Sequence, residues 1–289
     1  MNGFDLSTIS DLYVGSARKS AIYYGSTLIW PTTIDYSKEY LTIESLEDNN
    51  NITFRNTGRN EKTIQYGVKI NGTLYWGDVT STSGGVNFMT LNKNEKMYIK
   101  GTNSSYGSVD WANNMILSSK KVNVYGNIMS LIYGDNFVNQ TTLTDSHTFT
   151  YLFYGNKVVD ASNLILPATQ LTDFCYYGMF CGDLTNTQLI AAPALPATAL
   201  AEGCYSEMFS HCNLLTTSPE LPATTLAPSC YDGMFYGCTS LTTAPELPAT
   251  TLASNCYQSM FENCTSLTTA PELPATTLTT GCYYNMFYN

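Results

Sequence analysis

The alternation of apolar and polar residues predicts short β-strands over residues 36–119. The runs Thr63-Ile-Gln-Tyr-Gly-Val-Lys-Ile and Thr73-Leu-Tyr-Trp are separated by Asn71 and Gly72, a strong signal for a two-residue hairpin. Other predicted strands begin at Tyr40, Asn51 and Lys96. Because no helical periodicity interrupts these runs, the pattern predicts a β-sandwich.

Residues 166–289 repeat one pattern of apolar positions. Cys-Tyr-x-x-Met-Phe begins at Cys175, again 29 residues later at Cys204, and then at intervals of 26 residues at Cys230, Cys256 and Cys282. Leu-Pro-Ala-Thr lies between these runs and begins at Leu166, Leu195, Leu221, Leu247 and Leu273. A fixed period of this length is typical of a solenoid, in which each unit buries its apolar face against its neighbours.

The spacing within one repeat predicts a short helix followed by a strand. The apolar positions that carry this prediction are Cys230, Met234, Phe235, Cys238 and Leu241. The Leu-Thr-Thr-Ala sequence that begins at Leu241 is rich in Thr and favours a strand. The predicted fold class is therefore mainly β, with an N-terminal β element, a sandwich and a C-terminal solenoid that contains short helices.

Residues 1–35 contain the related runs Leu12-Tyr-Val-Gly-Ser and Ile22-Tyr-Tyr-Gly-Ser, and these predict short strands. So short a segment cannot build its own core, so we expect it to dock on a partner protein. The residues expected to make this contact are Tyr13, Tyr23, Tyr24 and Trp30. The alternative is an extension that packs on the next domain.

Residues 120–165 are expected to bridge into the solenoid and to cap its first unit. Val122-Asn-Val-Tyr and Ile128-Met-Ser-Leu-Ile are predicted strands. Tyr151-Leu-Phe-Tyr-Gly is similar to a degenerate Met-Phe unit. At the other end, the sequence stops inside a unit. We therefore expect Tyr283, Met286 and Phe287 either to be covered by further residues or another chain, or to fray.

Charge separates the two halves of the chain. All thirteen Lys and Arg residues lie between Arg18 and Lys157, whereas residues 158–289 contain ten Asp and Glu residues and no Lys or Arg. Nucleic acids and anionic membranes are bound through basic residues, so neither is expected as a partner. The N-terminus lacks the pattern of a signal peptide and no run of 18 apolar residues occurs, so we expect synthesis in a host cytoplasm without export.

All nine cysteines lie in the repeats, most of them at two fixed phases. Zinc sites require close pairs such as Cys-x-x-Cys, and none occurs. We therefore predict free, buried thiols that act as small apolar residues, as in a reducing cytoplasm. Disulfides between adjacent turns are the alternative. No metal or cofactor is expected.

The repeats resemble the BspA-like leucine-rich repeat, with a three-residue insertion. The matching positions are Leu247, Pro248, Leu252, Cys256, Met260, Phe261, Cys264 and Leu267. Cys, Tyr and Met replace the Ile, Gly and Ala of the family pattern. More broadly, the order of a Tyr-x-Gly-Ser element, a β domain and Leu-Pro-Ala-Thr-Thr-Leu repeats resembles virion proteins of phages that infect gut Bacteroides.

Two ladders of residues are the candidate binding surface. Tyr176, Tyr205, Tyr231, Tyr257 and Tyr283 replace the Gly of the related repeats, so we expect them to point partly outward and to contact a protein or glycan. Core packing is the alternative. Glu220, Glu246 and Glu272 form a second ladder, expected to be a solvated face, with a Ca²⁺ site as the alternative.

Catalysis is not expected. A glycosidase needs two carboxyl groups in different environments, whereas ladder positions are nearly equivalent. His147 and His211 lie in no nucleophile motif and are expected to pack locally.

The sequence predicts a non-enzymatic structural or adhesive protein of a phage virion, such as a head or tail fibre or a decoration protein. The expected partners are a virion protein, a host-surface glycan or protein, and further copies of the chain. A bacterial surface adhesin is the first alternative and a carbohydrate-active enzyme the second.

Overall fold

A computed structural model of the protein describes residues 34–58, 61–108, 113–182 and 188–289, and the backbone of four strands before residue 34. It divides the chain into two compact units, residues 1–35 and residues 36–289. The described chain is mainly β, with mixed sheets and very few helices.

The described backbone of the first unit contains two antiparallel strand pairs. β1 (Leu12–Val14) pairs with β2 (Ala17–Lys19), and β3 (Ile22–Tyr24) pairs with β4 (Thr27–Trp30). The strands predicted from the Tyr-x-Gly-Ser runs are confirmed. The side chains of the expected docking residues lie outside the described part of the structure, so their role stays a prediction.

The second unit begins with a 3₁₀ turn at Tyr36–Lys38 and continues in two sheets. In chain order the strands are β5 (Leu41–Ser45), β6 (Asn50–Asn56), β7 (Thr63–Ile70), β8 (Thr73–Thr80), β9 (Val86–Leu91), β10 (Lys96–Lys100), β11 (Asn114–Ser118), β12 (Val122–Asn127), β13 (Val158–Asp160) and β14 (Leu164–Ile165). The larger sheet has the order β13-β12-β5-β10-β7-β8, and the smaller has the order β11-β6-β9. The larger sheet is mixed because β12 pairs in parallel with β13 and β14, and antiparallel with β5.

The predicted hairpin between β7 and β8 is confirmed. Asn71 and Gly72 have φ values of 49° and 83°, and a two-residue turn of type I′ requires a positive φ at both positions. An aromatic pair connects the two sheets, since the ring centroids of Phe88 in the smaller sheet and Tyr66 in the larger sheet are 5.7 Å apart. Phe88 also stacks on Phe54 of its own sheet at 5.7 Å.

The boundary predicted between residues 119 and 120 does not separate two domains. β12 belongs to the predicted bridge, yet Val124 is paired with Ile43 in the middle of the larger sheet. The predicted strand at Ile128 is also wrong, because residues Ser130–Tyr133 form the helix α1. The Ser130 hydroxyl donates to the carbonyl of Ile99 and accepts from the Leu41 amide, and these bonds hold a turn over the end of the sheet. So short an apolar run has no periodicity that distinguishes the two structures.

Each repeat contains a chain of turns where a helix was predicted, and residues 203–212 show its geometry. The amide of Met208 donates to the carbonyl of Tyr205 in the same repeat, at 3.2 Å. The amide of Phe209 donates to Met234 in the following repeat, at 3.0 Å. The same alternation holds along the segment, so backbone donors bond either within a repeat or to the next one. We call residues 147–155, 174–182, 203–212, 229–238, 255–264 and 281–288 the turn segments.

The predicted helix is therefore wrong, and backbone geometry explains why. Every fourth residue of a turn segment has a positive φ, as at Gly203 (55°), Glu207 (53°) and His211 (60°). A right-handed helix cannot contain such residues. In residues 256–263, two buried positions are followed by two partly exposed, outer positions, a period of four that is close enough to 3.6 to imitate an amphipathic helix. The prediction that Tyr151 begins a degenerate unit is confirmed, because the amides of Phe149, Tyr151 and Phe153 donate to the following segment in the same way.

The Leu-Pro-Ala-Thr part of each repeat is extended. Leu247 and Ala249 are buried, whereas Pro248 and Thr250 between and after them are exposed. The predicted strand at Leu241 is reduced to single bridges, such as Thr217 to Thr243. Proline lacks the amide that a longer ladder would need.

All nine cysteines are free and buried, as predicted from their phases. The thiols of Cys212, Cys238 and Cys264 donate to the carbonyls of Phe180, Phe209 and Phe235 in the preceding repeats, at 3.0–3.3 Å. Burial raises the pKa of these thiols, so they remain protonated and are poor nucleophiles.

Burial decreases in the last repeat. Leu278 and Phe287 are 65% and 39% exposed, whereas the equivalent Leu252 and Phe261 are 8% and 1% exposed. Met286 nevertheless remains buried and Tyr283 is partly buried.

Candidate functional site

The tyrosine ladder is part of the core, and its predicted outward orientation is wrong. Tyr176, Tyr205, Tyr231 and Tyr257 are at most 2% exposed, and Tyr283 is partly buried. Consecutive rings in this column stack at centroid distances of 5.6–6.0 Å, with planes within 9° of parallel. A second column contains Phe180, Phe209, Phe235 and Phe261, which are also stacked. Repetition of these residues therefore reflects packing, and the buried tyrosines offer no binding surface.

The glutamate ladder lies on an exposed face. Glu220, Glu246 and Glu272 are exposed among the prolines and threonines that precede Leu-Pro-Ala-Thr, and we call this surface the Pro-Glu face. Two shallow cavities of about 510 and 300 Å³ lie along it. The described residues contain no group of three or more His, Cys, Asp or Glu that could hold a metal ion.

The repeats differ from one another at the outer positions of the turn segments. Each segment has two outer pairs, one between the Tyr and Met positions and one after the Phe. The first pairs are Tyr177-Gly178, Ser206-Glu207, Asp232-Gly233, Gln258-Ser259 and Tyr284-Asn285. The second pairs are Cys181-Gly182, Ser210-His211, Tyr236-Gly237, Glu262-Asn263 and Tyr288-Asn289. We call them the variable pairs, because the Cys, Tyr, Met and Phe beside them are constant.

Six of the ten variable pairs contribute residues to the larger of two adjoining cavities. It has a volume of about 780 Å³ and crosses five turn segments, from Tyr151 and Tyr154 through Glu207, His211, Asp232 and Tyr236 to Gln258 and Ser259. A second cavity of about 530 Å³ shares Tyr151 and Tyr154 and continues to Tyr177, Met115 and Thr57. We call the two together the groove. Each has the volume of a typical small-molecule site.

Some residues of the groove have a positive backbone φ, and their side chains lie over glycines of the next repeat. The Cγ of Glu207 lies 3.4 Å from the point where a Cβ would be on Gly233, which itself has a φ of 58°. The ring of Tyr151 covers Gly178 in the same way. A Cβ on Gly178 would lie 2.1 Å from a ring carbon of Tyr151, so any larger residue at position 178 would displace the ring. The alternation of a large residue with glycine along one column therefore keeps these side chains in defined positions.

Aromatic contacts fix the rings of the groove. Tyr151 lies edge-on to Tyr154 and Tyr177, with ring centroids 5.2 Å apart in both pairs. His211 and Tyr236 form a similar pair at 5.1 Å and 81°. Rings held by neighbours lose little conformational entropy when a ligand packs against them.

The groove also contains two neighbouring acidic side chains. Glu207 and Asp232 lie on adjacent repeats, and the Glu207 amide donates to the Asp232 carbonyl at 2.8 Å. Partial burial, and then the charge of Glu207, raise the pKa of Asp232 to about 6. Burial raises the pKa of the Cys181 thiol to about 12, so this cysteine stays neutral at the edge of the groove. Among the described residues that line the groove there is no Lys or Arg.

Sequence reasoning missed the groove, although a signal for it was present. The ladders were chosen because they recur, whereas the groove is formed where the repeats differ. Aligning the five Cys-Tyr-x-x-Met-Phe units and marking the positions that change would have identified residues 206–207, 210–211, 232, 236 and 258.

Comparison of the chain with known protein families, curated proteins and solved structures found no match. Among the described residues, none of the helices combines the length and apolar character that a membrane span requires.

Proposed function

We propose that the protein is a non-enzymatic recognition protein of a phage particle, in which the repeats form a leucine-rich-repeat solenoid and the two sheets form a sandwich that carries it. The observation that supports recognition is the division of each repeat into constant buried columns and variable pairs gathered in one groove. Repeat proteins build extended binding surfaces in this way, with constant packing inside each unit and changing residues on the outside.

The location on a particle is supported by the N-terminal unit and by the resemblance to phage virion proteins. The described strands of residues 1–35 form two short antiparallel pairs, and isolated pairs of this size are marginal without a surface to pack on. Docking of this unit on another virion protein would leave the groove free to bind the host. A bacterial surface adhesin remains the first alternative.

Purified particles from the source test this proposal. Mass spectrometry of gradient-purified particles should detect the chain at a fixed ratio to the major virion proteins, whereas fractionated host cells without phage should lack it. A chain lacking residues 1–35 should fold and yet be absent from particles. Detection in the envelope of uninfected cells, or incorporation without residues 1–35, would contradict the proposal.

One observation favours a second function, a carbohydrate-active enzyme. Glu207 and Asp232 occupy different phases of the repeat, and the pKa of Asp232 is raised, so the pair has the unequal environments that the glutamate ladder lacks. Cleavage of any glycan that binds the groove would support the enzyme and contradict the non-enzymatic proposal.

A further inference from the structure

We infer that the groove binds a linear oligosaccharide without acidic groups. This inference rests on the proposed recognition function and specifies its ligand. It depends on the shape of the groove, its rings, its hydrogen-bonding groups and its charge.

The shape suits a chain of small linked units. The groove crosses five turn segments. In the neighbouring aromatic column, the ring centroids of successive repeats are 5.6–6.0 Å apart. The two cavities adjoin at Tyr151 and Tyr154, so one extended ligand can occupy both.

The rings suit the apolar faces of pyranose sugars. One cluster of rings is centred on Tyr151, and the rings of Tyr154 and Tyr177 each lie edge-on to it. Tyr236 provides another ring farther along the groove, supported by His211. Amphipathic rings such as these bury the C–H face of a sugar while hydroxyl groups at the rim remain solvated.

The polar groups suit sugar hydroxyls. Glu207 and Asp232 offer carboxylate oxygens, each of which accepts more than one hydrogen bond, and a carboxylate can accept two neighbouring hydroxyls. Ser210 adds a hydroxyl on the repeat of Glu207, and Gln258 adds an amide on the repeat that follows Asp232. Few, well-placed polar groups among aromatic side chains are typical of small-molecule sites.

The charge excludes acidic ligands. Residues 158–289 carry ten acidic residues and no Lys or Arg, so a sulfated, phosphorylated or uronic-acid-rich glycan would be repelled. A protein partner fits less well, because protein interfaces have an apolar centre. Of the exposed large apolar side chains of the described residues, Tyr154 alone lines the groove.

The test applies the full-length chain to a panel of neutral, amino-bearing, sulfated and uronic-acid oligosaccharides, followed by titration calorimetry with the best ligand. Binding should be restricted to ligands without acidic groups. Tyr154→Ala and Glu207→Gln should each weaken binding at least tenfold. The matched controls Tyr75→Ala, on an exposed sheet residue, and Glu246→Gln, on the Pro-Glu face, should change it less than twofold. Circular dichroism of each variant checks that it is folded.

Attachment of particles to host cells separates failure of this inference from failure of the proposed function. If Tyr154→Ala reduces attachment, and periodate treatment of the cells does the same while protease treatment does not, both are supported. If Tyr154→Ala reduces attachment but only protease treatment of the cells matters, the groove recognises a protein and the glycan inference is wrong. If the groove variants do not change the attachment of particles to host cells, the recognition function itself is wrong. A preference for acidic glycans, or equal binding by Glu207→Gln, would also overturn the inference.

Discussion

Two faces of the repeats differ in how much their residues change from one unit to the next. On the Pro-Glu face, Pro-Glu-Leu-Pro-Ala-Thr-Thr-Leu occurs three times, beginning at Pro219, Pro245 and Pro271. On the turn segments, the variable pairs change in charge, size and aromatic character between neighbouring units. The first face has two cavities of about 510 and 300 Å³, and the second has the groove, whose larger cavity of about 780 Å³ crosses five turn segments.

The comparison teaches that recurrence and function are separate signals in a repeat protein. A residue recurs where every unit must solve the same packing problem, as the stacked rings of Tyr205 and Tyr231 do. A ligand that is not itself periodic requires different contacts from different units. The buried columns therefore build the scaffold, and under the proposed function the residues that break the repeat are the ones that would provide specificity.

The strongest test of this division compares a buried ring with an outer ring beside it. Phe235 is fully buried and stacked between Phe209 and Phe261. Phe235→Ala should lower the free energy of unfolding by about 3–5 kcal/mol, because it removes buried area and leaves a cavity. Tyr236→Ala should lower it by about 1.5 kcal/mol or less, the value of one aromatic pair. Urea denaturation measures both, and equal losses would show that the outer ring is also scaffold.

A smaller effect tests the backbone that positions the variable pairs. Gly233 has a φ of 58°, so Gly233→Ala should lower the free energy of unfolding by about 1–2 kcal/mol. Ser259 occupies the same column in the next repeat with a φ of 48°. Ser259→Gly should therefore raise the free energy by about 0.5 kcal/mol, because relief of strain exceeds the added chain entropy. The same urea measurement applies, and opposite signs for the two variants are required; a stabilising Gly233→Ala would refute the assigned backbone geometry.

Much of the sheet region was predictable from sequence because its signals are local. The strands β7 and β8 follow from alternation on both sides of Asn71 and Gly72, and a turn of two residues leaves little choice of register. The missed strands β9 and β11 have few local signals. Asn87 interrupts the apolar residues of β9, and β11 has only three consecutive apolar residues, so the positions of both strands depend on pairing with β6.

The repeats were predictable in period and burial but not in backbone conformation. The Cys and Met-Phe positions correctly indicated the core. The conformation between them depends on a positive φ at every fourth residue. Gly203 and Asn255 favour this conformation, but Glu207 and Ser229 adopt it without any such preference. They are stabilised by amide bonds to the neighbouring repeat, which a reading of one unit alone cannot reveal. The groove depends on the same contacts, so its residues could be listed from sequence variation but not placed.

The smallest expected effect concerns the acidic pair of the groove, where the two faces differ in how they respond to pH. The pKa of Asp232 is raised from 3.8 to about 6, chiefly by burial, so the folded state binds a proton more tightly than the unfolded state. The stabilisation from this protonation is fully present below about pH 4 and is lost as the pH rises through about 6. Asp232→Asn removes this loss. The melting temperature of the variant minus that of the wild type should therefore be larger at pH 7.5 than at pH 4.5. The difference should be modest, because Asp232 is partly exposed and solvent screens its charge. Glu246→Gln, at an exposed carboxylate of the Pro-Glu face, is the matched control. Parallel profiles for Asp232→Asn and the wild type would mean that the groove leaves its carboxylates as well solvated as those of the Pro-Glu face, and the electrostatic distinction between the two faces would then be lost.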